Sequence, residues 1–122
     1  MRAIVYLRRE PWFDAEDQLR AADFDAVAVV EVPEGTENPL DFVYEKTQNV
    51  THPWIFEDCV TTLLAGDVSK ATKGGIRSLS VGDLVQLEWP SWKFYQVASF
   101  GFWPMRMLGD GILEHVVIER EK

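Results

Sequence analysis

Runs of apolar residues along the chain predict five β-strands. Residues Ala3–Leu7 are almost wholly apolar and lean towards β-forming types, which predicts a buried strand. Residues Ala26–Val32 have the same character, and they end at the turn signal Pro33-Glu34-Gly35. Three more strands are predicted in the last third of the chain, over residues 81–87, 93–98 and 112–118. The turn signal Gly109-Asp110-Gly111 precedes the last strand, so this third is predicted to be a β-meander.

Capping residues and helical spacing predict a first helix before the second strand. Asp14 is a suitable N-cap, and the apolar residues Ala15, Leu19 and Ala22 follow it at helical spacing. The pattern is that of a short amphipathic helix.

A second helix is predicted over residues 39–48. Asn38 can serve as its N-cap, and Pro39 falls at the first helical position, where its missing N–H costs nothing. Residues 57–65 leave two alternatives open. Val60, Leu63 and Leu64 fit a short helix, whereas the β-branched run of residues 60–62 favours a strand.

The segments between these elements are predicted to be irregular. The residue before Pro53 is driven out of the helical region, so residues 52–54 are expected to be extended. Residues 66–75 are small, polar and glycine-ended, which predicts a surface loop. Residues 1–122 are therefore predicted to form a single α+β domain, mainly an antiparallel sheet of about five strands with two or three short helices.

The charge of the chain argues against direct nucleic-acid binding. Twenty acidic residues against twelve basic ones give a net charge of −8, and eleven of the acidic residues lie within residues 1–50. Phosphate binding needs clustered cations, which this distribution does not supply. The acidic half predicts either an ordinary solvated surface or a face that docks on a basic partner.

Other features of composition predict a cytoplasmic protein that does not act at a membrane. No apolar run approaches the roughly 20 residues that cross a bilayer. The first ten residues are too short and too soon charged for a signal peptide. The single cysteine excludes an intramolecular disulfide, in keeping with a reducing compartment.

Seven of the fifteen aromatic residues lie between positions 89 and 103. One interpretation is a core and hairpin rim built from large side chains. A second is a docking patch for a protein partner, since Trp and Tyr are favoured interface anchors. A third, stacking of nucleobases, needs flanking cations, and this stretch has only Lys93 with Arg106 beyond it. Trp89 and Trp92 flank a proline in a predicted loop, so they are expected to be exposed.

Catalytic and metal-binding patterns are weak, and no metal or cofactor is predicted. The chain has two histidines, His52 and His115, and one cysteine, Cys59, without metal-ligand spacing. A Cys59–His dyad would make a hydrolase. The apolar neighbours of Cys59 favour a small buried side chain instead.

The block Arg77-Ser78-Leu79-Ser80-Val81-Gly82-Asp83-Leu84-Val85, with Phe100-Gly101-Phe102 downstream, resembles the signature of the YodL-like family and related small uncharacterised proteins of plasmids, phages and conjugative elements. The segment 39–49 is similar to that family's amphipathic helix, so the resemblance covers about residues 26–104. It implies a fold and a mobile-element context, and it implies no activity.

The same block has two physical interpretations. Gly82-Asp83 before an apolar strand suits a tight turn, in which Ser78 and Ser80 satisfy backbone groups. Alternatively, Arg77, Ser78, Ser80 and Asp83 form a polar recognition site.

Three functional hypotheses follow from the sequence. The leading one is a non-enzymatic accessory protein of a mobile element or phage that binds a protein through Trp89 and Trp92. Inhibition of a host defence complex is one version of it, and it allows a homodimer. The alternative is a small-ligand or nucleotide-binding module that uses the 77–83 turn beside the aromatic hairpin. The third is a hydrolase that uses Cys59 with His52 or His115.

Overall fold

A computed structural model describes residues 1–9, 19–50, 52–63 and 76–116 of the chain. Within these residues there are eight strands: β1 (Arg2–Arg8), β2 (Leu19–Arg20), β3 (Phe24–Glu31), β4 (Val60–Thr62), β5 (Leu84–Leu87), β6 (Lys93–Val97), β7 (Phe102–Met107) and β8 (Ile112–His115). They contain one α-helix, α1 (Pro39–Lys46), and two 3₁₀ turns, Ala21–Asp23 and Trp54–Phe56.

The eight strands form one antiparallel sheet that curls into a half-barrel. Their order across the sheet is β2-β8-β7-β6-β5-β1-β3-β4. Strands β5 to β8 are neighbours in sequence order, so the predicted meander of the last third is confirmed. Strand β1 lies between β3 and β5, and it joins the meander to the rest of the sheet.

A bulge in β3 contributes to the curl of the sheet. Val5 pairs with Ala28 and Tyr6 with Ala26, so Val27 is an extra residue without a partner on β1. A bulge of this kind bends its strand and increases the local twist.

The core consists of two apolar clusters on opposite faces of the sheet. Leu84 and Val85 are consecutive residues of β5, so their side chains point to opposite faces. Val85 belongs to the larger cluster, together with Val43 of α1 and the fully buried Trp54. Leu84 belongs to the smaller one, with Leu19, Phe24, Met105 and Leu113.

The helix α1 forms as its sequence predicts. The Asn38 side chain accepts a hydrogen bond from the Asp41 amide, and Pro39 begins the helix. The helix ends at Lys46, two residues before the predicted boundary. At its end the Thr47 amide donates to the Tyr44 carbonyl, and the Thr47 hydroxyl donates to the Val43 and Tyr44 carbonyls.

The predicted α+β class with about five strands and two or three helices is wrong. The described residues form a mostly antiparallel sheet of eight strands with one α-helix. The five predicted strands are present, but β2, β4 and β7 are added to them and the helices are fewer.

The first predicted helix is wrong in the part that the structure describes. Its start at Asp14 lies outside the described residues. Leu19 and Arg20 form β2 instead, paired with Leu113 and Ile112 of β8. Leu19 is buried in the smaller cluster, and the Ala21 amide donates to the Gly111 carbonyl at 2.8 Å. Tertiary pairing here overrides a local helical pattern.

Strand β7 was not predicted because Pro104 interrupts its sequence. In an antiparallel strand, the nitrogen and the carbonyl of one residue point to the same neighbouring strand. The Pro104 carbonyl points towards β8 and accepts from the amide of Val116, the residue after the end of β8. The missing N–H therefore lies where the β7–β8 ladder ends.

The open alternatives of the middle segment resolve in favour of a strand. Val60–Thr62 form β4 and pair with β3, so the β-branched run prevails over the helical spacing. Pro53 is extended, as expected, and the 3₁₀ turn begins at Trp54. Residues 66–75, the predicted loop, lie outside the described residues.

The three predicted strands of the meander end or begin within their predicted bounds. Strand β5 begins at Leu84 because Val81 and Gly82 form a turn, and β6 ends at Val97, one residue early. Strand β8 covers residues 112–115, Val116 is not part of it, and residues 117–118 of the prediction lie outside the described residues. In the described part of the chain, no helix has the length and apolar character that a bilayer span requires.

Candidate functional site

The Asp83 turn, which we define as residues 77–83, is organised around one buried carboxylate. Asp83 is 1% exposed at the start of β5. Its Oδ1 accepts from the Arg8 backbone amide at 2.8 Å, and its Oδ2 accepts from the Ser80 amide at 2.8 Å. Both oxygens also accept from the Arg77 guanidinium, at 2.6 and 2.7 Å.

These four donors occupy the hydrogen-bond acceptor positions of the Asp83 carboxylate. An ionised carboxylate offers about four lone-pair positions, so no acceptor position is left for a ligand. The turn itself requires Gly82, whose φ of +97° is strained for any residue with a Cβ.

Arg77 uses most of its donors inside the molecule. Besides Asp83, its Nη2 donates to the Arg8 carbonyl at 2.9 Å and its Nη1 to the Ser78 carbonyl at 3.2 Å. The hydrogen bond with Asp83 raises the pKa of the guanidinium further above its ordinary value. The side chain is about half exposed, so the ion pair borders on solvent.

The two serines of the turn connect backbone groups. The Ser78 hydroxyl accepts from the Asn49 amide at 2.8 Å, and the Ser80 hydroxyl donates to the Ser78 carbonyl at 3.0 Å. Leu79, which lies between the two serines, contacts the segment that follows α1: its carbonyl accepts a hydrogen bond from the Gln48 side chain. The structure thus brings Arg77, Ser78, Ser80 and Asp83 together, in contacts that stabilise the turn.

The tryptophan loop, residues 88–92, joins β5 to β6 at the far end of the sheet from the Asp83 turn. Trp89 is 70% exposed and Trp92 is 36% exposed, so both indoles lie at the surface as predicted. The binding role of these two residues stays a prediction.

The base of the tryptophan loop is held by several contacts. The Glu88 amide donates to the Arg2 carbonyl, and the Trp92 amide donates to the Glu88 carbonyl. The Gln86 side chain donates to the Trp92 carbonyl at 3.0 Å. Trp92 has a φ of +54°, a left-handed conformation that is uncommon outside glycine.

Arg2 closes the loop from the neighbouring strand β1. Its guanidinium pairs with the Glu88 carboxylate at 2.7 Å and lies 5.5 Å from the centre of the Trp92 ring. The hydrogen bond from Arg2 holds the pKa of Glu88 below its ordinary value of 4.5. The pair is therefore charged at neutral pH, and Trp92 is fixed against β1.

None of the seven aromatic residues between positions 89 and 103 is fully buried. Four are exposed, namely Trp89, Trp92, Phe100 and Trp103, and the other three are half-buried. The half-buried Phe94, Tyr95 and Phe102 pack against the core clusters, so the interpretation of this stretch as core and hairpin rim holds in part. The most buried aromatic residues of the described chain are Phe24 and Trp54.

A second surface feature, which we call the α1 groove, was missed by the sequence analysis. It has a volume of about 270 Å³ and lies between α1 and the β6–β7 turn. Its lining residues are Asp41, Tyr44, Val81, Val97, Ala98, Ser99, Gly101 and Phe102. The Phe100-Gly101-Phe102 motif marks one side of it, but the pairing of this turn with α1 has no local sequence signal.

The Cys59 thiol carries no sign of activation. Burial raises the pKa of the Cys59 thiol above its ordinary value of 9.0, which disfavours the nucleophilic thiolate. His115 bonds Gln96 on the meander at 2.7 Å, and His52 bonds Glu57 at 3.0 Å. Among the residues that the structure describes, no group of His, Cys, Asp and Glu could hold a metal ion.

No protein-family model, curated protein or solved structure matches the chain. The resemblance of residues 26–104 to the YodL-like family therefore stays a prediction.

Proposed function

We propose that this chain is a non-enzymatic protein-binding module that docks through the tryptophan loop, with Trp89 as its anchor. The observation that carries the proposal is the 70% exposure of the Trp89 indole on a loop whose base is held by hydrogen bonds. Tryptophan is among the residues that contribute most to protein interfaces, because its large ring loses little conformational entropy on binding.

The contacts at the base of the loop support this proposal. A loop that is ordered before binding loses less conformational freedom when a partner docks. Arg2, Gln86 and Glu88 also maintain Trp92 at a φ of +54°, a conformation that costs about 1–2 kcal/mol for a residue with a Cβ. Backbone strain of this kind is concentrated at binding sites.

The biological setting of the proposal comes from the sequence. The resemblance to proteins of plasmids, phages and conjugative elements supports an accessory protein that acts in the cytoplasm of the host. Inhibition of a host defence complex is the version of this function that a phage origin would favour.

The contacts of the Asp83 turn weigh against the alternative of a nucleotide or small-ligand site. A ligand that used Asp83 would have to displace Arg77 or one of two backbone amides. Displacing a buried backbone donor without replacement costs about 1–3 kcal/mol. We therefore favour protein binding.

Affinity purification with wild-type and variant chains tests the proposal. The wild-type chain should capture a stoichiometric partner from a host lysate, and Trp89→Ala should weaken the purified complex by about 2 kcal/mol or more, roughly 30-fold. The measurement is the dissociation constant by isothermal titration calorimetry.

The matched control is Phe56→Ala, which removes another exposed aromatic ring outside the tryptophan loop. Both variants should unfold within about 0.5 kcal/mol of the wild type, because exposed side chains contribute little to stability. Retained affinity in Trp89→Ala, or equal losses in both variants, would show that the loop is not the docking surface.

A further inference from the structure

We infer that the α1 groove is a second docking site, which takes an extended peptide segment of a partner protein with a large apolar side chain next to a lysine or arginine. The inference rests on the walls, size and charge of the groove. It does not depend on the tryptophan loop.

The lining of the groove is part polar and part apolar, and two of its aromatic rings are already in contact with each other. The Tyr44 ring of α1 meets the Phe102 ring of β7 edge to face, with 6.4 Å between their centres and 81° between their planes. Val81 and Tyr44, both exposed, leave apolar surface uncovered at the mouth of the groove. Such surface is favourable for a partner to cover, because burial removes apolar area from water.

Phe100 extends the apolar surface beyond the groove. It lies at the tip of the β6–β7 turn, between the lining residues Ser99 and Gly101, and it is 97% exposed. A ring of this size in open solvent contributes nothing to the core. The Phe100 ring is placed to contact the part of a bound peptide that extends beyond the groove.

The open shape of the groove favours a segment of a larger partner over a free small molecule. Sites for small molecules and cofactors typically enclose most of the ligand. The α1 groove, at about 270 Å³, is open to solvent and would leave such a ligand partly uncovered. It fits one or two side chains of a larger partner.

The charge around the groove favours a basic partner. Asp41 is the charged side chain among its lining residues, and Glu45 lies one helical turn further on the same side of α1. Glu37 precedes the helix, and all three carboxylates are exposed. In the described part of the chain none of the three forms an ion pair, so they are available to a partner's cations.

The same charges oppose two other occupants. A phosphate-bearing ligand would be repelled by the carboxylate of Asp41. A second copy of this chain would bring its own net charge of −8 to an acidic surface.

Selection from a random peptide library displayed on phage tests the inference without a known partner. The target is the Trp89→Ala/Trp92→Ala double variant, so the tryptophan loop cannot capture peptides. We expect enriched peptides with an aromatic or aliphatic residue beside Lys or Arg. As synthetic peptides, they should bind at least tenfold more weakly to the same target carrying Asp41→Lys or Ala98→Trp, which change the charge and fill the groove.

Two further variants keep the experiment interpretable. Asp58→Lys changes an exposed carboxylate that does not line the groove, and it should leave the affinity within twofold. Ser99→Trp fills the groove from an exposed turn position if Ala98→Trp does not fold.

Three results would overturn the inference. The first is that the selected peptides share no motif of a basic residue beside an apolar one. The second is that the peptides bind the target with Asp41→Lys as tightly as the target without it. The third is that the wild-type chain self-associates and that Ser99→Trp abolishes this self-association. The first two results are obtained on a target without the loop tryptophans and the third concerns a groove residue, so each leaves the proposed function of the loop untouched.

Discussion

Asp83 shows that the identity of a residue does not reveal its role without its distant partners. The sequence predicted a turn residue or a ligand-binding carboxylate at this position. The structure places it 1% exposed, with one of its donors supplied by the backbone of Arg8, 75 positions earlier. Only the packing of β1 beside β5 brings these groups together.

We predict that Asp83→Ala lowers the free energy of unfolding by about 2–4 kcal/mol. The substitution leaves the Arg8 and Ser80 amides without their acceptor, and a lost buried acceptor costs about 1–3 kcal/mol per donor. Arg77→Lys keeps both of these backbone hydrogen bonds. It loses the paired geometry of the guanidinium and its donors to the Arg8 and Ser78 carbonyls, which lie at the exposed edge of the turn, so its loss should be smaller. Urea unfolding monitored by circular dichroism measures both changes.

Asp110→Ala is the control for this prediction. Asp110 is exposed and accepts a single backbone hydrogen bond, from Ile112 at 3.2 Å. Its replacement should cost less than about 1 kcal/mol. If Asp83→Ala were no more destabilising than this control, Asp83 would not be holding the turn.

Exposure of single aromatic residues could be predicted only where a loop signal accompanies them. Trp89 and Trp92 flank a proline, and that signal predicted their exposure. Trp103 lies on a strand and is also exposed, on the face of the sheet where it contacts the His115 ring at 5.0 Å. Nothing local distinguishes such a position from a core position.

At the scale of elements, the predictions succeeded where local signals and long-range pairing agree. Helix α1 has an N-cap and a proline at its first position, and it forms where predicted. Strands β1 and β3 contain long apolar runs, β6 contains two adjacent aromatic residues, and all three also form. Strands β2 and β7 were missed, because β2 depends on its pairing with β8 and β7 contains a proline.

The β6–β7 turn supplies a prediction at this scale. Gly101 has a φ of +73°, and a Cβ added there would meet no atom within 4 Å. Gly101→Ala should therefore destabilise the chain through backbone strain alone, by about 1–2 kcal/mol. Thermal unfolding of the purified variant measures this loss.

Gly109→Ala separates this strain from a general effect of removing glycine. Gly109 also has open space around its Cα, but it lacks a positive φ. Alanine there should leave stability unchanged or raise it by up to about 1 kcal/mol, because the unfolded chain loses freedom. Equal destabilisation by the two substitutions would rule out the proposed strain at Gly101.

At the scale of the whole molecule, the central position of β1 makes the sheet one continuous unit. Strand β1 pairs with β3 over seven residues and with β5 over four. The sequence predicted the strands but not this order, because strand order is set by contacts between residues far apart in the chain. The correction from five strands to eight has the same origin.

We predict that the sheet opens cooperatively. Backbone amides in β1 and β6 should exchange with solvent deuterons at the same free energy of opening, since β6 is attached to β1 through β5. Hydrogen exchange followed by NMR at low denaturant concentration makes the comparison. A lower opening free energy for the whole β5–β8 meander than for β1 and β3 would show two separate folding units.

The place of β1 in the sheet also has a consequence for synthesis on the ribosome. Strand β1 is made before β3, and its other neighbour, β5, ends at Leu87. At about 5–20 residues per second, translation from Arg8 to Leu87 takes roughly 4–16 s. During that interval one edge of the nascent β1 has no strand to pair with, and open strand edges invite association between chains. The growing polypeptide therefore carries an open strand edge, and the risk of aggregation that comes with it, until β5 emerges.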